Sequence, residues 1–393
     1  MKKYKYIEEY CTGCGLCHSA IGTKMKNTSK GFPICDLNEY DNTEFYEKCC
    51  PVEFYKKVNT PQIWGEVDKA IIGYAKDREV RYKAASGGAL TEIASFLLES
   101  GKVDAIIHTT FKSENPTENI TCLSRTTEEV RKRCGSRYSI SVPLKDILQL
   151  IDVNERYAFI GKPCDVMALR QYISYNNNLK AVFPFLLSFF CAGEPSVDAQ
   201  KTLLKAMNCS LEKCSSITYR GNGWPGFTTI YNHDGKVERM QYKDAWGKYL
   251  GRDIRNICRF CLDGTGDSAD IVCADFWHLT ADGEPDFSEH EGRNIIITRN
   301  KKSTDLVEGA IQKGYIIAES DFTNEMSTFY KYQPHQFRRK TTMQSMIFGL
   351  KICGKTSPVY NKEYLHSLSK HIGNKDKLRY FVGTVKRVLR KKI

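Results

Sequence analysis

The sequence predicts an α/β fold with a small cysteine-rich segment in front of it, and three observations carry that expectation. First, Leu90, Ile93, Ala94, Leu97 and Leu98 fall at helical spacing up to Ser100, and a buried strand over 103–111 follows at once. Second, the apolar stretches Tyr157–Ile160 and Val182–Phe190 each run into a turn, the first of which opens a helix carrying Val166, Leu169 and Ile173. That is the rhythm of neighbouring parallel strands in an open sheet. Third, residues 1–60 lack hydrophobic periodicity and are rich in Cys, Gly, Asn and Lys. Such a segment buries little core alone, so bound metal is expected to organise it.

Within that first segment, Cys11-Thr12-Gly13-Cys14-Gly15-Leu16-Cys17 and a later Cys50-Pro51 have the spelling of a ferredoxin-like 4Fe-4S segment. The glycines allow the left-handed angles that bring three thiolates to one face. Inward-pointing N–H groups would stabilise their charge. Cys50 is the expected fourth ligand, with Cys49 as competitor and a structural zinc site as the plainer alternative. Gly31-Phe32-Pro33 reads as a turn, and Cys35 as a spare thiol.

The core begins with a strand at Ile71–Ala75. Ser86-Gly87-Gly88 then stands at the start of the helix that Gly101 ends, where it would serve as an anion cradle or simply as a cap. Arg131–Tyr138, containing Ser136, Arg137 and Tyr138, is a basic loop suited to phosphate or to solvent. A helix over Leu144–Ile151 follows, and Gly161-Lys162-Pro163-Cys164-Asp165 then forms a strand-to-helix turn. A thiol there gains acidity from the helix dipole. Cys191 ends the next strand, and with Cys164 and the pair Cys258-Arg259-Phe260-Cys261 it makes a second four-thiolate set at the carboxyl edge of the sheet.

Between these lie a glycine-rich loop whose Trp224 would cover a cofactor and a hairpin around Asp234-Gly235. Strand Ala269–Trp277 ends in Asp275; strand Asn294–Thr298, a helix near Asp305–Gln312 and strand Tyr315–Ala318 complete the pattern. Beyond residue 330 the chain is basic and poorly periodic, with a tail that reads as a solvated terminal helix; an acidic partner or a membrane surface is the alternative.

Sixteen cysteines without a secretory signal argue for metal chemistry over disulfides and for a cytoplasmic location. No stretch is apolar enough for a transmembrane segment. The net charge of +12 comes without a zinc-finger, RRM or helix-turn-helix pattern, so no nucleic acid is expected. Negative clusters and a phosphate-bearing cofactor would offset part of it.

In order along the chain, these motifs resemble the family of beta subunits of coenzyme F420 hydrogenases and dehydrogenases, which includes hydroxymethyl chlorophyll reductase and bacterial members. The resemblance covers roughly residues 8–320. It rests on Cys11–Cys17, Ala85-Ser86-Gly87-Gly88, Ser136-Arg137-Tyr138, Gly161–Cys164, Gly223-Trp224-Pro225-Gly226, Cys258–Cys261, and Ala269-Asp270-Ile271 leading to Ala274-Asp275-Phe276-Trp277. It implies FAD with one or two 4Fe-4S clusters. Ser86, Gly87, Gly88, Ser136, Arg137 and Tyr138 would contact the flavin nucleotide. Cys164, Cys191, Cys258 and Cys261 would hold a cluster beside it, with the N-terminal set holding an outer one.

The division implied is 1–60, the ferredoxin-like segment; 61–150, the FAD-binding domain; 151–330, an α/β domain with the second cluster; and 331–393, a basic extension. Lys162 and Asp165 stand where the family usually has Thr and Gln, and Ala274–His278 where it usually has Gly-Asp-x-Trp-Gly. The deazaflavin is therefore not assigned as substrate. The expected function is an iron–sulfur flavoprotein oxidoreductase. Electrons would pass from ferredoxin or a redox partner protein, through two clusters and FAD, to a small-molecule or sugar-derived substrate. Lys162, Asp275 and His278 are the expected proton donors. The rivals are an electron-transfer subunit without a substrate of its own and a zinc-stabilised binding protein. A homo-oligomer is compatible with the sequence.

Overall fold

The computed structural model describes residues 5–37, 43–54, 56 and 62–390. The expected boundary at 60–61 and the last three residues of the tail lie outside these. The N-terminal segment contributes short helices and one antiparallel pair, β1 (Met25–Asn27) with β2 (Pro33–Cys35). The sheet strands that follow are β3 (Lys69–Ala75), β4 (Ala105–Lys112), β5 (Asn115–Ser124), β6 (Tyr157–Ile160) and β7 (Phe185–Phe189). A separate antiparallel sheet holds β8 (Cys214–Thr218), β9 (Phe227–Asn232) and β10 (Val237–Gln241), the last two being the expected hairpin. β11 (Ile271–Asp275), β12 (Asn294–Thr298) and β13 (Ile316–Asp321) return to the main sheet.

That sheet is mixed, in the order β13-β3-β12-β11-β7-β6-β4-β5. β4, β6, β7 and β11 run parallel, and the flanking strands pair antiparallel. The period of two along each strand sorts the core into two layers. Ile72, Ile107, Phe159, Leu186, Val272 and Ile295 face helix Pro163–Tyr175 through Val166, Leu169 and Ile173. Ile71, Ile106, Ala158, Leu187, Ile271 and Ile296 face helices Ala89–Glu99 and Lys301–Gln312. The second of these starts four residues before the expected one, because Asn300 caps it by accepting from the Ser303 N–H at 3.0 Å.

Three expectations need correction. The stretch 182–190 is not one strand: Leu179–Val182 is a helical turn, and Pro184, with no N–H to give a ladder, precedes β7. The helix over 144–151 shrinks to Ile147–Leu150. The stretch beyond 330 is ordered as helices Pro334–Thr341, Met343–Ile352, Lys362–Ser369 and Asn374–Leu389. Met343, Leu350, Tyr364 and Leu368 are buried against Tyr10, Ile257, Phe260 and Leu262. Lys340, fully buried, donates to the Ile63 carbonyl at 2.7 Å and reaches Asp267 at 3.1 Å. These helices form a cap over the loops that carry the thiols.

Candidate functional site

The carboxyl edge of the parallel strands collects most of the expected residues. β6 ends at Ile160, and Cys164 sits in the first turn of the helix that follows. Cys191 lies two residues past β7, and Cys258 and Cys261 stand in and just after the short helix Asn256–Arg259. All four are free and half-buried. Burial and the neighbouring charges of Asp165, Cys191 and Cys261 push Cys164 up. Burial with Cys191, Glu194 and Cys261 takes Cys258 to about 12, and burial takes Cys261 to about 11. Thiols this close resist losing their protons one by one; a bound metal centre removes that resistance by taking them as thiolates. The C-terminal cap adds cationic support here: Arg339 donates to the Cys191 carbonyl at 2.8 Å and Gln336 at 3.0 Å.

The N-terminal set converges similarly. Gly13 and Gly15 take the left-handed angles expected of them, at φ 73° and 87°. Their lack of a side chain serves packing too. A Cβ on Gly13 would meet the Arg255 guanidinium at 2.5 Å, and one on Gly15 would meet Val142 at 2.6 Å. Cys50 is raised by burial and then by Cys11, Cys14 and Cys17, which places it among them. Cys49 is buried and lies against Tyr172 on the neighbouring helix. Cys35 is no bystander. Its thiol stands beside Cys11 and Cys17, and together with the charge of Arg255 it overcomes burial to lower Cys11 to about 6. Nothing in the sequence spacing marks it, because β2 carries it in from outside the motif. Among the described residues, no three His, Cys, Asp or Glu side chains close on a single metal ion.

A buried chain of charges separates the two thiol sets. Arg255 donates through Nε to Glu194 at 2.7 Å and through Nη1 to the Pro33 carbonyl at 2.9 Å. The other Glu194 oxygen accepts from the Ser141 N–H at 3.0 Å and lies 3.3 Å from Lys162. Lys162 in turn meets Asp165 at 3.1 Å and Ser141 Oγ at 2.6 Å. Burial holds Asp165 up at about 6 against the pull of Lys162. Burial disfavours the charge on Lys162, but Asp165 and Glu194 outweigh it and raise its pKa. Lys162 and Asp165, the unusual pair in this turn, are thus partners of one another. Arg255 feels both Cys11 and Cys258, and so touches both sets electrostatically.

The expected nucleotide loops also meet at this edge, with different commitments. Ser86 hydrogen-bonds to the Arg293 carbonyl at 3.0 Å, and Asn294 caps the Ala89 N–H at 3.1 Å. A Cβ on Gly87 would meet Asn294 Oδ1 at 2.7 Å, so this turn is packed closely against the start of β12. Ser136 lies in the loop that approaches residues 219–226, where a Cβ on Gly135 would stand 3.8 Å from the Arg220 carbonyl. Tyr138 sits among Tyr219, Tyr242 and Trp246, 5.0 Å from the last. Arg137 lies over Phe111, 4.6 Å from the ring centre, and its buried Nε has no hydrogen-bond partner. Burial lowers its pKa.

Trp224 is fully buried and stacked on Trp277 at 4.8 Å. Its indole N–H donates to Asp275 at 2.8 Å. Asp275 also holds Arg220 in a two-pronged pair at 2.8 Å on each oxygen. His278 is half-buried, 4.4 Å from the His290 ring centre, and burial followed by Arg293 lowers its pKa. Sequence reasoning missed Glu194, Arg220, Arg255 and Arg339, whose roles come from partners tens to hundreds of residues away.

The family described as coenzyme F420 hydrogenase/dehydrogenase, beta subunit, matches this chain in two parts: its N-terminal part at residues 70–149 and its C-terminal part at residues 154–322. Among curated relatives, one of the F(420)H(2) dehydrogenase subunits of Methanosarcina mazei is 23% identical over 273 residues, covering 67% of this chain and 74% of that protein. The coenzyme F420 hydrogenase beta subunit of Methanococcus voltae is 24% identical over 259 residues, covering 64% of this chain and 84% of its own. A chain of the F420-reducing [NiFe] hydrogenase complex from Methanosarcina barkeri shares the fold at a TM-score of 0.55 and 20% identity. That match covers 75% of this chain and 97% of that one.

Proposed function

The chain belongs to the family of coenzyme F420 hydrogenase/dehydrogenase beta subunits, and from that premise we propose that it is an iron–sulfur flavoprotein oxidoreductase. The observation that carries the reading is the convergence of two separate sets of four thiols from segments far apart in sequence. Cys11, Cys14, Cys17 and Cys50 would hold an outer 4Fe-4S cluster in the ferredoxin-like segment 1–60. Cys164, Cys191, Cys258 and Cys261 would hold an inner one in the α/β domain 151–330. FAD would lie between the domain 61–150 and the inner set. Arg137, cationic and lacking a partner for its Nε, suits a phosphate there. When bound, flavin exchanges electrons singly with clusters and in pairs with an organic substrate.

The chain's own groups divide the remaining work. Arg255 and Arg339 offset the charge of the thiolate sets. Asp275 fixes Arg220 and Trp224, and Lys162 bridges two carboxylates, so both act by holding the loops in place. His278, neutral and half-exposed at the same edge, is the group placed to take up or deliver a proton. Reduction of a small-molecule or sugar-derived substrate with electrons from ferredoxin or another redox protein is the favoured direction. A second reading, an electron-transfer subunit with no substrate of its own, draws support from relatives that are named as subunits.

Anaerobic purification tests the proposal. Iron and sulfide near eight each per chain, the sum of two cubes, together with bound flavin, are expected. Zinc in place of iron, or no flavin after reconstitution, overturns it. Turnover of a small substrate by the isolated reduced chain would separate the enzyme from the subunit.

A further inference from the structure

The C-terminal helix Asn374–Leu389 has three distinct sides. One is buried: Thr384 is fully enclosed and meets Gly349, where a Cβ would stand 3.0 Å from its own Cβ, while Tyr380 and Val388 pack on the cap core. On a second side Leu378, Val382, Val385 and Leu389 recur at i, i+4, i+7 and i+11, a single stripe about 16 Å long at 1.5 Å per residue. Leu378 is 63% and Leu389 74% exposed. Phe348 and Ile352 of the neighbouring helix, 57% and 62% exposed, widen that stripe, with Phe348 lying 5.4 Å from Phe381. The third side carries Lys375, Arg379, Lys386 and Arg390, all exposed, about 80° round the helix from the apolar stripe. Lys351 and Lys355 add to it from the neighbouring helix and the turn after it. Among the described residues none of these six cations has a carboxylate at ion-pair distance.

A contiguous apolar ridge of this kind signals a binding surface, since single exposed hydrophobes are ordinary but clusters are not. Leu378, Leu389, Phe348 and Ile352, each more than half exposed, stand out from the two helices. A docked protein would have to supply a matching groove, whereas a bilayer interface yields to a ridge without one. Long aliphatic tips beside an unneutralised row of Lys and Arg match the boundary between acyl chains and anionic headgroups. We propose that the helices Met343–Ile352 and Asn374–Leu389 form a docking face for an anionic lipid surface, holding the protein peripherally; no described helix is long and apolar enough to cross a membrane. This face lies beyond the last residue matched by the family, 322, and the inference does not depend on the redox reading.

Sedimentation of the full chain with vesicles tests it, comparing phosphatidylcholine alone with phosphatidylcholine mixed with phosphatidylglycerol. Binding to the mixed vesicles is expected to exceed that to neutral ones by about tenfold or more, and to weaken as salt is raised. The double variant Leu378→Glu, Leu389→Glu should abolish it, and Lys375→Glu with Arg379→Glu and Arg390→Glu should reduce it about tenfold. All five positions are exposed, so melting temperature and circular dichroism should match the wild type. Equal binding to both vesicle types, or no binding by the folded chain, would overturn the proposal. So would a dimer in sedimentation velocity that the leucine variants dissolve, or saturable binding of an acidic polypeptide while vesicles are ignored.

Discussion

The two thiol sets are built by opposite means. The inner set hangs from the ends of β6 and β7 and from loops pressed against a sheet whose strands are buried on both faces. The outer set is held by two positive-φ glycines, helices of four to seven residues and a three-residue strand pair. Among the described residues, its own apolar cluster has Ile7, Cys35 and Tyr46 fully buried. The sheet positions the inner thiols by its own packing. The described part of the outer segment anchors itself to the larger cores through Tyr10, Leu16, Cys49 and Val52, and its loop geometry would depend on what it binds and on Arg255 reaching across from the other set.

The largest break in this comparison should come from removing metal. Thiolate sites in small segments couple binding to folding by on the order of 10 kcal/mol. Chelation of the anaerobic protein is therefore expected to expose residues 5–54 to hydrogen exchange and proteolysis while β3–β13 stay protected. Equal loss of protection in both regions would erase the contrast.

A smaller effect, shared by both sets, should follow from Glu194→Ala. It strands Arg255 as a buried cation and leaves Lys162 with Asp165 alone, and truncating one partner of a buried pair costs about 3–5 kcal/mol. Denaturant unfolding reads this directly, and Glu194→Gln should recover part of it. If only the outer segment loosens, the charge chain does not join the two.

A third perturbation is confined to the sheet. His108 on β4 is buried, shares a 2.8 Å hydrogen bond with Ser124, and is lowered by burial and then by Arg133 to about 4. The unfolded chain protonates this residue near 6.5, so it takes the proton first and stability falls as pH drops from about 6.5 to 4. The loss from this group should approach about 3 kcal/mol and be complete below pH 4. Comparing His108→Gln with wild type isolates it; parallel pH profiles for the two would rule it out.

The smallest change is expected at Cys49→Ser, which should leave iron content intact and shift stability by about 1 kcal/mol. Cys50→Ser should remove the outer cluster, about four irons. Iron analysis of the two variants decides between these neighbours.

What the sequence reveals tracks how local the physics is. The strand alternation in Ile71–Ala75 and Ala105–Ile107, the helix Ala89–Glu99 and the turn into Cys164 depend on near neighbours, and each is legible. The C-x-x-C spellings stand out on local spacing alone, and the fold brings Cys258 and Cys261 near Cys191. Cys35 reads as spare in the sequence because β2 brings it to Cys11 from 24 positions away. Glu194 and Arg255 are 61 positions apart, and neither carries a motif. The terminal helix is legible, though read as solvated on all sides, whereas the three cap helices before it, of eight to ten residues, escape notice. Met343, Met346, Ile347 and Leu350 nonetheless stand at i, i+3, i+4 and i+7, a signal that a shorter window finds.

The cap has a consequence for how the protein matures. Tyr10, beside the first thiol, donates to the Thr356 carbonyl at 2.7 Å, and Tyr360 donates to the carbonyl of Phe260, between the last two. The segment that closes over both sets is therefore made after every thiol of those sets has left the ribosome. A nascent chain would pass through a stage with the thiols made but the cap absent, and docking of residues 334–389 would end that stage. Loading of the sites would thus be easiest before the cap arrives, and in the finished molecule it would have to pass the cap.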